Sequence, residues 1–283
     1  MMLNHFIMNM NIYLFKMFHM FWMLALLVVS GQAFQDITSF GAVKNEDTLS
    51  AQQTNQVAIM QAIAQANLTT SAGDDRVVIV PTHTYYTLPI VLDHVYDVVL
   101  EVRGKLSACN RIKHYPKTEN RISYQDFISI NFGRNITLRG GGKIDGRGYI
   151  WWLNAWLVTK KYMPPHANRP HLIASYFVER LVIHDLVLKN SPSFHIKADQ
   201  TIDSTFYNLD IKVNTTAQMD IFKRNYLTGI IPMFPLNTDG IDPSGRNFHI
   251  YNITCQNYDD VVVPKPSHTA PGSMSNCTEN ILV

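Results

Sequence analysis

Charge is scarce in this chain: Asp, Glu, Lys and Arg supply 16% of its 283 residues. The 24 basic and 22 acidic side chains are spread along the sequence and leave a formal net charge of +2, so no field of one sign favours nucleic acid or an anionic membrane surface. An acidic ligand has to be attracted locally. There is no Gly-x-Ser-x-Gly nucleophile elbow. Gly140-Gly141-Gly142 runs into Lys143-Ile144 rather than Lys-Ser or Lys-Thr, so it reads as a turn and not a phosphate loop. His166, His171, His184 and His195 miss zinc-ligand spacings and read as ordinary surface or core histidines. No metal and no cofactor is expected. Asn-Gly hairpin signals between neighbouring strands are missing as well.

Long apolar runs are also few. A Met- and Asn-rich lead containing Lys16 precedes the uncharged run from Met20 to Val29, and Ser30-Gly31-Gln32-Ala33 follows it. That order is the pattern of a secretory signal peptide, with cleavage expected after Ala33. The alternative is a signal anchor that stays attached. The expected organisation is a signal peptide over residues 1–33 and one domain over 34–283, secreted to the cell exterior with no stable membrane insertion. In an oxidising compartment three cysteines leave one over. Cys255 and Cys277 are close enough to clip successive coils, and Cys109 is expected to be a buried free thiol. Sequons at Asn67, Asn135, Asn214, Asn252 and Asn276 are compatible with glycosylation.

What the chain does contain is a succession of short β-branched runs. One amphipathic helix is predicted over Thr54 to Ala66, with Val57, Met60, Ile63 and Ala64 at helical spacing. Strands are predicted at 77–80, 90–92, 98–102, 128–130, 136–138, 181–188, 206–213, 248–253 and 261–263. Several open on the same phrase, a polar residue or Asn leading into alternating apolar positions: Arg134-Asn135-Ile136, Glu179-Arg180-Leu181, Arg246-Asn247-Phe248 and Glu279-Asn280-Ile281. Degenerate repeats of this kind argue for a parallel solenoid whose coils bury their inner faces on one another, over an antiparallel sandwich.

Two acidic clusters stand out against the low charge: Asn237-Thr238-Asp239-Gly240-Ile241-Asp242 and Tyr258-Asp259-Asp260. Clustered carboxylates suit glycoside hydrolysis, in which one acid protonates the leaving oxygen and a second carboxylate activates water or attacks the sugar. Asp and Asn are also ordinary turn residues. Phe40-Gly41-Ala42-Val43, Pro89-Ile90-Val91-Leu92, Gly141 to Gly148 with Trp151-Trp152, Asn190 to His195, Asn237-Thr238-Asp239-Gly240 and Asp259-Asp260 occur in an order that gives them meaning. In that order, residues 37–283 resemble the pectin-cleaving polygalacturonases of glycoside hydrolase family 28.

The resemblance implies an all-β fold, a right-handed single-stranded parallel β-helix of the pectin lyase-like kind, with a short N-terminal capping helix. It implies a polysaccharide substrate, pectin or polygalacturonate, and a monomer. Asp259 becomes the general acid, with Asp239 and Asp260 positioning and deprotonating water in an inverting arrangement, which asks for about 6.5–9.5 Å between acid and base. Asn237, Asp242 and Tyr258 are expected to bind or position substrate, Asn237 through its amide, and Gly240 to permit a tight turn. Neighbours on an ideal strand face opposite ways, so a bend is expected at Asp259-Asp260.

Tyr258 departs from the family, which places Gly or Gln there, and leaves substrate preference open. The family's Gly-His-Gly and Arg-Ile-Lys segments do not follow Asp260; Arg111-Ile112-Lys113 lies far upstream, and Lys265 and His268 are read as out of register. The expectation is a C-terminally truncated family member, or else a non-catalytic pectin binder on the same scaffold. A calcium-dependent lyase shares the solenoid but cleaves by elimination. Trp151, Trp152 and Trp156 are expected in packing rather than on sugar rings.

Overall fold

A computed structural model describes residues 34–69, 76–119, 123–157, 169–216, 219–220, 223, 235, 237–266 and 278–283. The predicted signal peptide over 1–33, Cys277, His166, His268 and the Trp156 side chain lie outside them. Among the described residues no helix is long and apolar enough to cross a membrane.

The strands stack in three parallel sheets. The first contains β1 (Gln35–Asp36), β2 (Val77–Val80), β5 (Val99–Val102), β8 (Arg134–Arg139), the N-terminal part of β11 (Glu179–Lys189) and the middle of β12 (Ile196–Lys212) and β13 (Ile241–Gln256), ending on β14 (Glu279–Leu282). The second contains β3 (Thr84–Thr87), β6 (Lys105–Ala108), β9 (Lys143–Asp145) and the C-terminal parts of β11, β12 and β13. The third contains β4 (Ile90–Asp93), β7 (Ile128–Asn131), β10 (Ile173–Tyr176) and the N-terminal parts of β12 and β13. Each coil visits the third, first and second sheets in turn, so the fold is a right-handed parallel β-helix as expected.

Register explains the stack. Ile90, Ile128, Ile173, Ile196 and Ile241 pair rung on rung in the third sheet, and all five are fully buried. Leu138, Ile183, Phe206 and Ile250 do the same in the first. Each such side chain contributes about 1.5–3 kcal/mol of burial, and slipping the register by one residue turns the whole row outward.

The recurrent polar phrase has a physical cause at the corner between the third and first sheets. Asp97, Asn135, Arg180, Asp203, Asn247 and Asn280 all sit at φ between 54 and 60, a left-handed conformation that Asn and Asp tolerate best among residues with a Cβ. Their side chains bond from coil to coil: Asn135 donates to Asp97 at 2.8 Å, Asn247 to Asp203 at 2.7 Å and Asn280 to Asn247 at 2.9 Å.

Several expectations need correction. The capping helix, α1 (Leu49–Leu68), starts earlier than predicted, with Thr48 capping Ala51, and buries Ala51, Ala58, Ile59, Ala62, Ile63 and Ala66. Of the four apolar residues first assigned to its inner face only Ile63 is buried, and Val57 is 53% exposed. Small alanines let the helix seat closely on the end of the solenoid, a preference that hydropathy spacing does not register. A second helix, α2 (Tyr149–Leu157), was not anticipated. The second-sheet strands Thr84–Thr87, Lys105–Ala108 and Lys143–Asp145 were also missed, and at 261–263 only Val262 makes a single bridge, to Ile241. Trp151 and Trp152 are fully buried, which excludes sugar stacking; Trp152 Nε1 donates to the Ser191 carbonyl at 3.0 Å. Cys109 is a buried free thiol.

Candidate active site

The lip of the third sheet gathers the acids. Backbone rungs from Phe127 to His171, Leu172 to Phe194, His195 to Asp239 and Gly240 to Asp260 (N–H to C=O) place Asp126, His171, Phe194, Asp239 and Asp260 in one row across successive coils. The two acidic segments are stitched together. Asn257 Nδ2 donates to the carbonyls of Thr238 at 3.0 Å and Asp260 at 2.9 Å, and the Tyr258 N–H donates to Thr238 Oγ1 at 3.3 Å.

The chain bends at Tyr258 and Asp259, so both members of the pair reach the same place. One oxygen from each of Asp239, Asp259 and Asp260 lies within 4.8 Å of the others. That is closer than the separation expected between an inverting acid and its base. Asp259 Oδ2 accepts the Asn237 N–H at 2.8 Å and Oδ1 accepts the Asp260 N–H at 3.0 Å.

Two helper roles differ from expectation. Asn237 holds Asp259 through its backbone N–H, at φ 55, while its side-chain oxygen accepts from Arg169 at 3.2 Å. Gly240 answers a close approach instead of a turn: a Cβ there would meet the Val261 carbonyl at 2.4 Å. Tyr258 is 43% exposed, with its hydroxyl 3.5 Å from that of Thr215.

Three groups escaped the sequence reading. Lys265, set aside as out of register, places Nζ 3.3 Å from Asp242 Oδ2 and 3.6 Å from Asp239 Oδ2, and 5.2 Å from the Phe194 ring centroid. The bridge between Ile241 and Val262 brings it there. His195 is fully buried and its Nδ1 donates to the Asp239 carbonyl at 3.0 Å. Burial pulls it down to about 4, so it stays neutral and acts as a strut for the Asp239 backbone. Arg169 feels both Asp239 and Asp259, although burial lowers it to about 10. Only the register of the folded coils assembles these groups, which lie far apart in sequence.

Electrostatics separates the acids. Burial, then the charge of Asp259, raises the Asp239 carboxyl above the ordinary range. Asp242, 1% exposed, is pushed up to about 6 by burial and then by Asp239, with Lys265 pulling the other way. A raised carboxyl favours the fold in its protonated form. Its contribution is therefore complete below about pH 4 and is lost as pH rises through about 6, on the order of 3 kcal/mol at neutrality. Asp242→Asn mimics the protonated acid. It should raise Tm at pH 7, leave it near wild type at pH 4, and flatten the melting profile between them; equal slopes in the two proteins contradict the assignment.

Fold and site together define a β-helix that carries a carboxylate cluster on one sheet lip. The chain belongs to the glycosyl hydrolases family 28, whose family model matches residues 78–270. A polygalacturonase from Persea americana is 25% identical over 167 residues, covering 59% of this chain and 31% of the relative. An endo-polygalacturonase from Pectobacterium carotovorum subsp. carotovorum is 25% identical over 241 residues, covering 79% of this chain and 53% of the relative. The chain thus spans about a third to a half of the curated relatives it matches. The crystal structure of a hyperthermoactive exopolygalacturonase from Thermotoga maritima superposes with a TM-score of 0.65 at 19% identity, over 88% of this chain and 58% of that one; it supports the fold.

Proposed function

We propose that the protein is a secreted glycoside hydrolase that cleaves α-1,4-galacturonosyl bonds of polygalacturonate or pectin. The observation that carries the reading is the convergence of Asp239, Asp259 and Asp260 on one lip, with oxygens within 4.8 Å, in a chain of this family. The sugar lies across that lip. Asp259, fixed by two backbone N–H groups, protonates the glycosidic oxygen. Asp239 and Asp260 share the attacking water, since two acceptors this close can both hydrogen-bond one water at ordinary distances of about 2.7 Å. Lys265 sits beside Asp239 and Asp242, and its charge pulls the Asp239 carboxyl down against the larger upward effects of burial and Asp259. Secretion follows from the leader over 1–33.

Asp239 acts as base only when ionised, and its raised carboxyl places that limb of the rate profile in the acidic range. Activity should therefore fall as pH drops through that range. A flat rate from about pH 4 to about pH 8 contradicts this.

The short spacing gives one specific reason to weigh the retaining route, in which a carboxylate about 5–5.5 Å from the acid attacks the sugar directly. Proton NMR of freshly cut polygalacturonate separates the two. Inversion predicts that the new reducing end appears first as the β anomer. An initial α anomer supports retention and removes the water-sharing role of Asp239 and Asp260.

A further inference from the structure

Five Asn-x-Ser/Thr sequons compete for modification in a chain read as secreted, and the fold does not treat them alike. Asn276 lies outside the described residues. Three of the other four commit their side-chain amides to the architecture. Asn135 Nδ2 donates to Asp97 Oδ1 at 2.8 Å and Asn252 Nδ2 to Asn208 Oδ1 at 2.6 Å. Both are links between successive coils, made from left-handed positions at φ 54 and 52. Asn67 is held at both ends of its amide: Nδ2 donates to the His94 carbonyl at 3.2 Å and Oδ1 accepts the Tyr96 N–H at 2.8 Å. These two bonds tie the last turn of α1 to the stack.

Asn214 differs. It follows the end of β12, and its backbone is anchored there because its N–H donates to Asn190 Oδ1 at 2.8 Å. The side chain is exposed, with Oδ1 accepting the Thr216 N–H at 2.8 Å. Its Nδ2 has no hydrogen-bond partner among the described residues. Both amide hydrogens are thus uncommitted, and the turn holds Asn214 beside Thr216, the residue that completes its sequon.

Glycan transfer exchanges one of those hydrogens for a sugar. The bond formed joins Nδ2 to the anomeric carbon of an oligosaccharide, and the bond broken is the one from that carbon to a lipid diphosphate carrier. The carrier leaves with the bonding electrons, and the displaced amide proton passes to a base. Transfer meets the chain before it folds, so the folded structure decides which conjugates complete the solenoid. At Asn67, Asn135 and Asn252 the one remaining N–H has to stay on its present acceptor while a bulky sugar fits beside it. At Asn135 and Asn252 that sugar has to fit within a coil spacing of about 4.8 Å. At Asn214 it breaks no bond and enters solvent.

We propose that Asn214 carries an N-linked glycan in the secreted protein, in preference to Asn67, Asn135 and Asn252. The inference rests on the secretion reading above. The neighbouring Thr215 hydroxyl stands 3.5 Å from that of Tyr258, so the glycan rises next to the carboxylate lip.

The test is to express the full chain with its own leader in cultured eukaryotic cells and to release the N-glycans of the secreted protein with an amidase in heavy-oxygen water. Mass spectrometry then reads which asparagines have become labelled aspartates, and trypsin isolates Asn214 between Lys212 and Lys223. The label should appear at Asn214 in most molecules and at Asn67, Asn135 and Asn252 in a minor fraction. Asn214→Gln should remove one glycan's step in gel mobility without stopping secretion. Thr216→Ala should do the same while keeping Asn214 and the backbone N–H of its turn, and Thr216→Ser should retain the glycan. Secreted protein in which Asn214 is bare, or in which one of the other three is occupied as fully, overturns the assignment while leaving the secretion reading in place. Retention of the chain inside the cells overturns the secretion reading and this inference with it.

Discussion

Asp259→Asn should lower kcat on polygalacturonate by about a thousandfold, within the range of 10²–10⁴ that a positioned general acid supplies. The amide keeps the size and shape of the carboxyl but has no proton to give to the leaving oxygen. The fold should tolerate it. Asp259 accepts two backbone N–H bonds, from Asn237 and Asp260, and the amide oxygen preserves one of them. The other N–H lies at the exposed lip, where solvent replaces the lost acceptor for about 1 kcal/mol. In a chain of this size that lowers Tm by only about 2–4 °C. Turnover measured beside a thermal melt checks both halves. Near-wild-type rates remove the acid assignment, and a collapse in Tm shows that the loss of rate came from the fold.

Gly142→Val should prevent folding altogether. A Cβ at Gly142 would stand 2.3 Å from the carbonyl oxygens of both Gly104 and Val102. Those carbonyls are not free to move, because they accept the N–H groups of Lys143 at 2.8 Å and Gly142 at 2.9 Å as rungs between coils. Relief requires breaking both rungs in the middle of the stack. A cost above about 4 kcal/mol is expected, against a total stability of about 5–15 kcal/mol. Gly141 is the control: nothing lies within 4 Å of its added Cβ, and only its φ of +73 opposes Ala. Gly141→Ala should therefore cost about 1–2 kcal/mol and still yield folded protein. Soluble Gly142→Val with a native melt contradicts the close-approach account.

The parts of the fold legible in the sequence are those whose physics is local. Ile90, Ile128, Ile173, Ile196 and Ile241 face one core; Ile90 and Ile128 lie in apolar runs that were predicted as strands, while the stretches opening at Ile173, Ile196 and Ile241 were not. The left-handed corners imprint Asn or Asp at 97, 135, 203, 247 and 280, which is why the polar phrase recurs. The second sheet was hidden because strands such as Thr84–Thr87 and Lys105–Ala108 place polar residues, Thr87 and Ser107, at buried positions, which breaks the apolar pattern a strand is read from. The inner face of α1 was misread because alanine, a weak hydrophobe, forms much of it.

The same division runs through the site. Asp239, Asp259 and Asp260 stood out as an acidic signal in a chain with little charge, and the bend at Tyr258 and Asp259 followed from the need for both members of the pair to face one way. Lys265, His195 and Arg169 carried no such signal. Their relation to Asp239 is set by coil-to-coil register: His195 is one rung below it, and Lys265 arrives after the bridge at Val262. Spacing along one strand does not encode which residue of the next coil lies beside it.

The central claim is that the carboxylate lip hydrolyses a galacturonosyl bond. The most direct measurement is to incubate chelator-treated protein with polygalacturonate and assay the products both for reducing ends and for unsaturated sugar. The account predicts that reducing ends accumulate, that no unsaturated product forms, and that removing calcium changes neither result. Unsaturated ends that disappear with chelator, or no new ends of either kind, contradict it.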